Sequence, residues 1–304
     1  MQAFDFVSAR SVDEVVAVLA AGGERARPLS GGTDLLTQMK EGRRSYATVV
    51  DLKRIPELME IRFSAEGGLW LGASVPCHAI NKNADVQKRY PALRDSTGLI
   101  GGTQVQGRAS LGGNLCNASP AADGIPNLII HSVTAHIVGP NGTRQVAVED
   151  FCTAPGRTVL QNGEILVALE FPAPVKNFGA AYLRFIPRNE MDIAVVGVGA
   201  SVVLSDDGQT IQSARISLGA VAPTPLFVKA AGDALAGQPV SEESFEKAAQ
   251  IAWEAAKPIN DMRGTIAQRK HLSGVLTKRA LRIAIDRARG ISTVDSLGRL
   301  NGHG

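Results

Sequence analysis

The sequence predicts an α+β protein in three successive units, and three observations predict it. The first fifty residues alternate strand and helix signals. Hairpin turns then punctuate residues 61–148. A Pro172-Ala173-Pro174 break follows, and beyond it come long apolar strand runs and then helices. The expected units are an α/β unit at 1–57, a second unit of hairpins, helix and strand at 58–174, a C-terminal α+β unit of antiparallel strands and helices at 177–290, and a tail at 291–304. A chain of 304 residues matches two or three domains at about 150 residues each, and it needs no disulfide or metal staple to fold.

Each element has a local reason. Phe4 and Phe6 alternate with polar residues in a first strand. Ser11 and Glu14 form a capping box before the apolar positions Val12, Val15, Val16 and Leu19, and Gly22-Gly23 ends that helix. Arg27-Pro28-Leu29 leads into Ser30-Gly31-Gly32-Thr33-Asp34 and a short helix to about Lys40, and Thr48–Leu52 is the next strand. Residues 61–74 read as a hairpin turning at Gly67-Gly68, a helix starts near Ala92, and a glycine-rich passage runs from Gly98 to Gly113. Strands near 133–138 and 143–148 flank the hairpin turn Pro140-Asn141-Gly142, and Glu164–Phe171 is another strand. Strand runs at 192–204 and 210–221 flank Asp206-Asp207-Gly208. Helices follow near 226–236, from Ser241, and at about 266–289. The last helix sets basic residues beside an apolar face, which is read as packing on its own unit.

Composition excludes several functions. The formal net charge of +3, from 32 basic and 29 acidic residues, is too balanced for a nucleic-acid partner. Cys77, Cys116 and Cys152 are isolated, as reduced thiols of a cytoplasmic protein would be, and three thiolates cannot ligate an ordinary iron–sulfur cluster alone. The five histidines make no zinc pattern, and no metal site is expected. The start carries Asp5 and no apolar h-region, so no secretory signal is expected. The longest apolar run, Ile193–Leu204, is too short to span a bilayer.

Two glycine loops stand out. Ser30-Gly31-Gly32-Thr33-Asp34-Leu35 joins a strand to a helix start, where free N–H groups favour a phosphate and missing Cβ atoms allow close approach. With no Lys or Arg between Pro28 and Met39, an anion there would be held by N–H groups. Taken alone, this loop reads equally well as an ordinary strand-to-helix turn. The second is Ser110-Leu111-Gly112-Gly113-Asn114, followed by Asp123, an acid able to accept hydrogen bonds from sugar hydroxyls. Neither matches a P-loop or a Rossmann fingerprint.

Taken together these strings resemble the FAD-binding medium subunit of the molybdenum hydroxylases, the family of xanthine dehydrogenases, carbon monoxide dehydrogenases and aldehyde or N-heterocycle hydroxylases. The resemblance spans nearly the whole chain. It rests on SGGTDLL at 30–36 with Lys40, SLGGNLCNASPAAD at 110–123 with Pro126, APGRTVLQNGEILVALEFP at 154–172, RNEMDIAVVG at 188–197 and DMRGTIAQRKHLSGVLTKRAL at 261–281. It implies two α/β subdomains holding FAD between them and a C-terminal domain closing over the flavin. Carried onto this chain, Pro28, Leu29, Ser30, Gly31, Gly32, Thr33, Asp34 and Leu35 would wrap the diphosphate. Ser110, Gly112, Gly113 and Asn114 would form the second dinucleotide loop, and Asp123 would sit near the ribose or ribityl hydroxyls. Leu166 would supply a main-chain or apolar contact, Ile193 would lie on one flavin face and Ile100 near the other, and Arg184 would stand where the family commonly has lysine. Thr33-Asp34 and Ile193 depart from the carbon monoxide dehydrogenase branch, which carries a His after the first Gly-Gly and a Tyr at the position of Ile193.

The resemblance implies no catalytic acid or base in this chain, because the chemistry belongs to the flavin. Partners are implied: a small subunit with two [2Fe–2S] clusters and a large subunit with a molybdopterin cofactor, as a cytoplasmic heterotrimer that dimerises. The flavin would pass electrons to NAD, a quinone or another acceptor. The alternative is a stand-alone FAD-dependent oxidoreductase acting directly on a small organic substrate.

Overall fold

In the computed structural model, which describes residues 1–188 and 190–293, the chain begins with a three-stranded parallel sheet. β1 (Asp5–Ser8), α1 (Val12–Gly22), β2 (Ala26–Leu29), α2 (Leu35–Lys40) and β3 (Thr48–Asp51) follow in order. β3 lies between β1 and β2, parallel to both. Ser11 caps α1 by accepting the Glu14 N–H at 3.2 Å, and the Glu14 carboxylate reaches back to the Arg10 N–H at 2.8 Å. Because all three strands run the same way, the loops after β2 and β3 open at one edge, where α/β sheets place their ligands.

The middle of the chain surrounds an antiparallel sheet. β4 (Ile61–Phe63) and β5 (Leu69–Gly72) form the expected hairpin. The segment after them folds as the short helices α3 (Cys77–Lys82), α4 (Ala84–Arg89), α5 (Pro91–Thr97), α6 (Thr103–Gln106), α7 (Leu111–Asn117) and α8 (Gly124–Ile130). β6 (Thr134–Gly139) and β7 (Gly142–Ala147) make the second hairpin, turning at Gly142 with φ +104°. β8 (Cys152–Ala154) and β9 (Arg157–Thr158) pair with each other, and β10 (Ile165–Phe171) closes the sheet, whose order is β4-β5-β10-β6-β7. The sequence reading found only α5 among these helices. The others are too short to show a helical period, and α8 is buried along its whole length, so it presents no polar face to mark it.

The last sheet is antiparallel: β11 (Phe178–Phe185), β12 (Val196–Leu204), β13 (Thr210–Gly219) and β14 (Leu226–Phe227). After it come α9 (Lys229–Asp233), β15 (Gln238–Pro239) on β13, α10 (Glu242–Ala255) and α11 (Ile266–Ala288). Three expectations change here. β11 was not anticipated, the strand run at 192–204 begins only at Val196, and the helix near 226–236 is a two-residue strand followed by the short α9. α10 and α11 cover one face of this sheet through Val198, Ala200 and Val202. α8 covers the other, where a Cβ on Gly199 would lie 2.9 Å from the Pro126 carbonyl oxygen. With both faces covered, β12 reads as one continuous apolar run.

The basic residues of α11 mostly find partners within the fold. Lys278 pairs with Glu246 and Arg282 with Glu242 on α10, while Arg269 takes Asp261. No helix of the described residues is long and apolar enough to cross a membrane. All three cysteines are free, and burial pushes the Cys77 and Cys116 thiols up to about 12. Of the expected tail at 291–304, residues 294–304 lie outside the described residues.

Candidate functional site

A cleft of about 1320 Å³ lies between the open edge of the parallel sheet and the middle unit. That exceeds the ~300–1,000 Å³ typical of sites for drug-sized ligands and suits an extended dinucleotide. Its walls are the loop after β2, the start of α7, and the stretch around β8 to β10.

The first loop leaves β2 at Pro28 and Leu29, with Leu29 buried in the core. Gly32 has φ +80°, a left-handed turn that a side chain would strain, and a Cβ on Gly31 would lie 2.6 Å from the Arg108 carbonyl oxygen. Thr33 and Asp34 are exposed at the start of α2, Leu35 is half-buried, and Asp34 takes a side-chain hydrogen bond from Asn117 at the end of α7.

The second loop meets the first directly. The Ser30 and Ser110 hydroxyls share a hydrogen bond of 2.9 Å, and Ser110 caps α7 by accepting the Gly113 N–H at 3.1 Å. The two glycines of this loop have different tasks. A Cβ on Gly112 would lie 2.3 Å from the Ala73 carbonyl oxygen, so Gly112, which also lines the cleft, is held to glycine by packing. A Cβ on Gly113 would point between Ser110 and Ser30, 3.0 Å from one and 3.8 Å from the other, and would fill the cradle the two serines form. Asn114 Oδ1 accepts the Gly124 N–H at 3.0 Å, which fixes α7 against the start of α8. Ile100 and Leu166 add apolar wall.

Asp123, Arg184 and Ile193 lie outside this lining. Asp123 is buried at the start of α8. The Tyr182 hydroxyl donates to its Oδ1 at 2.8 Å and Arg184 Nη1 to its Oδ2 at 2.7 Å. Burial pushes its carboxyl up to about 6, although Arg184 and Tyr182 both favour the charged form. Arg184 is itself buried, and its Nε has no hydrogen-bond partner among the described residues. Ile193 is half exposed on the connection from β11 to β12. That connection overhangs the glycine-rich passage, for Met191 Sδ lies 3.1 Å from where a Cβ on Gly102 would be.

The structure therefore gathers Pro28 to Leu35, Ile100, Ser110, Gly112, Gly113, Asn114 and Leu166 on one cleft. It sets Asp123 and Arg184 beside the cleft as a buried pair. Sequence reasoning missed Arg108, whose guanidinium donates to the Ser30 and Gly31 carbonyls, and Asn117. Arg108 stands two residues before the 110–123 string and Asn117 inside it, and neither position carries a signal of its own. The donor set is hydroxyls and backbone N–H groups around a glycine-lined cradle, chemistry suited to a diphosphate and sugar hydroxyls.

Comparison with known proteins agrees with this chemistry. Residues 2–174 match the family described as the FAD binding domain in molybdopterin dehydrogenase, and residues 181–284 match the CO dehydrogenase flavoprotein C-terminal domain. The chain is 30% identical over 291 residues to the xanthine dehydrogenase FAD-binding subunit of Escherichia coli O157:H7, covering 94% of this chain and 99% of that one. It is 34% identical over 284 residues to the carbon monoxide dehydrogenase medium chain of Hydrogenophaga pseudoflava, covering 92% and 96%. Its fold matches a chain of reconstituted CO dehydrogenase from Oligotropha carboxidovorans with a TM-score of 0.90 at 31% identity, covering 94% and 99%.

Proposed function

The chain belongs to the family of FAD-binding subunits of xanthine and carbon monoxide dehydrogenase-type molybdenum hydroxylases, and on that premise we propose that it is the electron outlet of such an enzyme. It is an oxidoreductase subunit whose cofactor is FAD. In this reading a small partner delivers electrons from [2Fe–2S] clusters, and a large partner hydroxylates the substrate at a molybdopterin cofactor. The assembly is a cytoplasmic dimer of heterotrimers with NAD, a quinone or another molecule as acceptor. Bound FAD supplies the junction between single-electron delivery and two-electron reduction of that acceptor.

The chain's own residues bind and orient. We assign the FAD-binding half to the units at 1–57 and 58–174 and the covering part to 177–290. Pro28 to Leu35 wrap the diphosphate, and Ser110, Gly112, Gly113 and Asn114 complete the dinucleotide cradle. Asp123 retains lone pairs beyond those used by Tyr182 and Arg184 and serves the ribose or ribityl hydroxyls, with Arg184 holding its carboxylate in place. Ile193 and Ile100 bracket the flavin ring, and Leu166 walls its side.

The observation that carries this reading is the meeting of two sequence-distant glycine loops through Ser30 and Ser110 on one large cleft. The test is a visible absorption spectrum of the purified chain, with the released cofactor identified by mass. A flavin spectrum that yields FAD and shows no iron–sulfur shoulder is the expected result. A colourless chain that refuses added FAD, both alone and when co-purified with its partner subunits, would overturn it.

A further inference from the structure

We propose that Arg108 is the positioning residue of the first glycine loop: it turns that loop's N–H groups toward the FAD diphosphate. Arg108 Nε donates to the Gly31 carbonyl and Nη2 to the Ser30 carbonyl, each at 3.3 Å. A trans peptide is planar, so the C=O of one residue and the N–H of the next point in opposite directions. Holding the Ser30 and Gly31 carbonyls on the Arg108 side therefore turns the N–H groups of Gly31 and Gly32 away from it. Successive N–H groups aimed the same way form an anion-binding concavity, and Gly32 at φ +80° supplies the left-handed residue such a concavity uses.

The packing fixes the same arrangement independently. The Arg108 carbonyl lies 2.6 Å from where a Gly31 Cβ would be, so backbone and guanidinium of one residue grip the loop together. The grip places positive charge behind the loop as well. A diphosphate bound to the N–H groups would thus meet donors in front and the Arg108 guanidinium behind, although residues 28–39 contain neither Lys nor Arg.

This inference rests on the FAD reading, and its test separates the two. Wild type, Arg108→Ala and Arg108→Lys are purified as full chains and titrated with FAD. Each is then studied at saturating FAD by ³¹P NMR of the diphosphate and by the visible spectrum of the flavin. Arg108→Ala is expected to raise the FAD Kd roughly tenfold. It should shift the bound ³¹P resonances toward those of free FAD, with the flavin spectrum and the melting temperature of the apo chain unchanged. Arg108→Lys, which keeps the charge but has only a point donor for two carbonyls, should recover part of the affinity. Unchanged Kd and ³¹P shifts in Arg108→Ala would overturn the proposal. So would flavin-spectrum and melting changes parallel to the loss of affinity, because a general structural role moves all of them. If Arg108→Ala does not fold, Arg108→Lys carries the same comparison. A wild-type chain that takes no FAD overturns the parent reading instead.

Discussion

Gly112 and Gly113 are adjacent, yet substitution at each should fail in a different way. Gly112→Ala puts a methyl 2.3 Å from the Ala73 carbonyl oxygen, and backbone must shift to admit it. Overpacking of this kind costs about 1–3 kcal/mol, which chemical denaturation of the apo chain would read. Gly113→Val should lower the melting temperature modestly, because its Cβ would sit 3.0 Å from the capping Ser110 hydroxyl, and abolish FAD uptake, because the new side chain enters the cradle between Ser30 and Ser110. Full flavin content in purified Gly113→Val would refute that assignment. At this scale the sequence is generous with motifs and silent on partners. Ser30 and Ser110 were legible as two cradles, but nothing in either string says that they touch. Arg108 was invisible because its acceptors, Ser30 and Gly31, lie far back along the chain and only folding brings them together.

Between elements, the Asp123 pair joins the start of α8 to β11. Its carboxyl is raised to about 6 from an ordinary 3.8, first by burial, with Arg184 and Tyr182 opposing. A carboxyl raised on folding binds its proton more tightly in the native state. Its contribution to stability is therefore complete below about pH 4 and is lost as the pH rises through about 6. The loss is on the order of 2–3 kcal/mol. Comparing urea unfolding of wild type and Asp123→Asn from pH 4 to 7 should show wild type losing ground over that window, while the neutral amide has no such slope. A flat difference would mean that Asp123 stays ionised throughout. The same pair shows why β11 escaped sequence reading. Gly179, Ala180, Ala181 and Tyr182 are all buried, with a Gly179 Cβ 1.9 Å from the Ala284 carbonyl oxygen, so β11 lacks the polar alternation that marks a half-exposed strand. Hairpins at Gly67 and Gly142 were legible because their turn residues are local signals.

Across the whole molecule, three ion pairs tie the C-terminal sheet and its last helix to the middle unit. They are Arg184–Asp123, Arg215–Glu149 and Arg287–Asp95. The last is the most buried. Arg287 also donates to the Ala180 carbonyl, so α11, α5 and β11 share one guanidinium. Removing one member of a buried pair strands the other charge, which costs about 3–5 kcal/mol. Calorimetry should show wild type unfolding in one transition. Arg287→Ala should melt earlier and in two steps, with the C-terminal part separating first. A single, unmoved transition would show that these units are joined by other contacts. None of this joining was legible, because each pair links residues more than sixty positions apart and charge pattern along a chain does not name distant partners.

The helix α8 has all seven residues buried, between its own unit and the strands β12 and β13. On the ribosome that arrangement becomes a matter of timing. The covering strands are completed at Gly219, about 90 residues after α8 ends, and at ~5–20 residues per second the apolar helix waits roughly 5–20 s for its cover. Until then the first half of the chain is expected to carry an uncovered apolar face. A gene split between the two halves would have to deliver the second fragment to the first before that exposed face found another nascent chain.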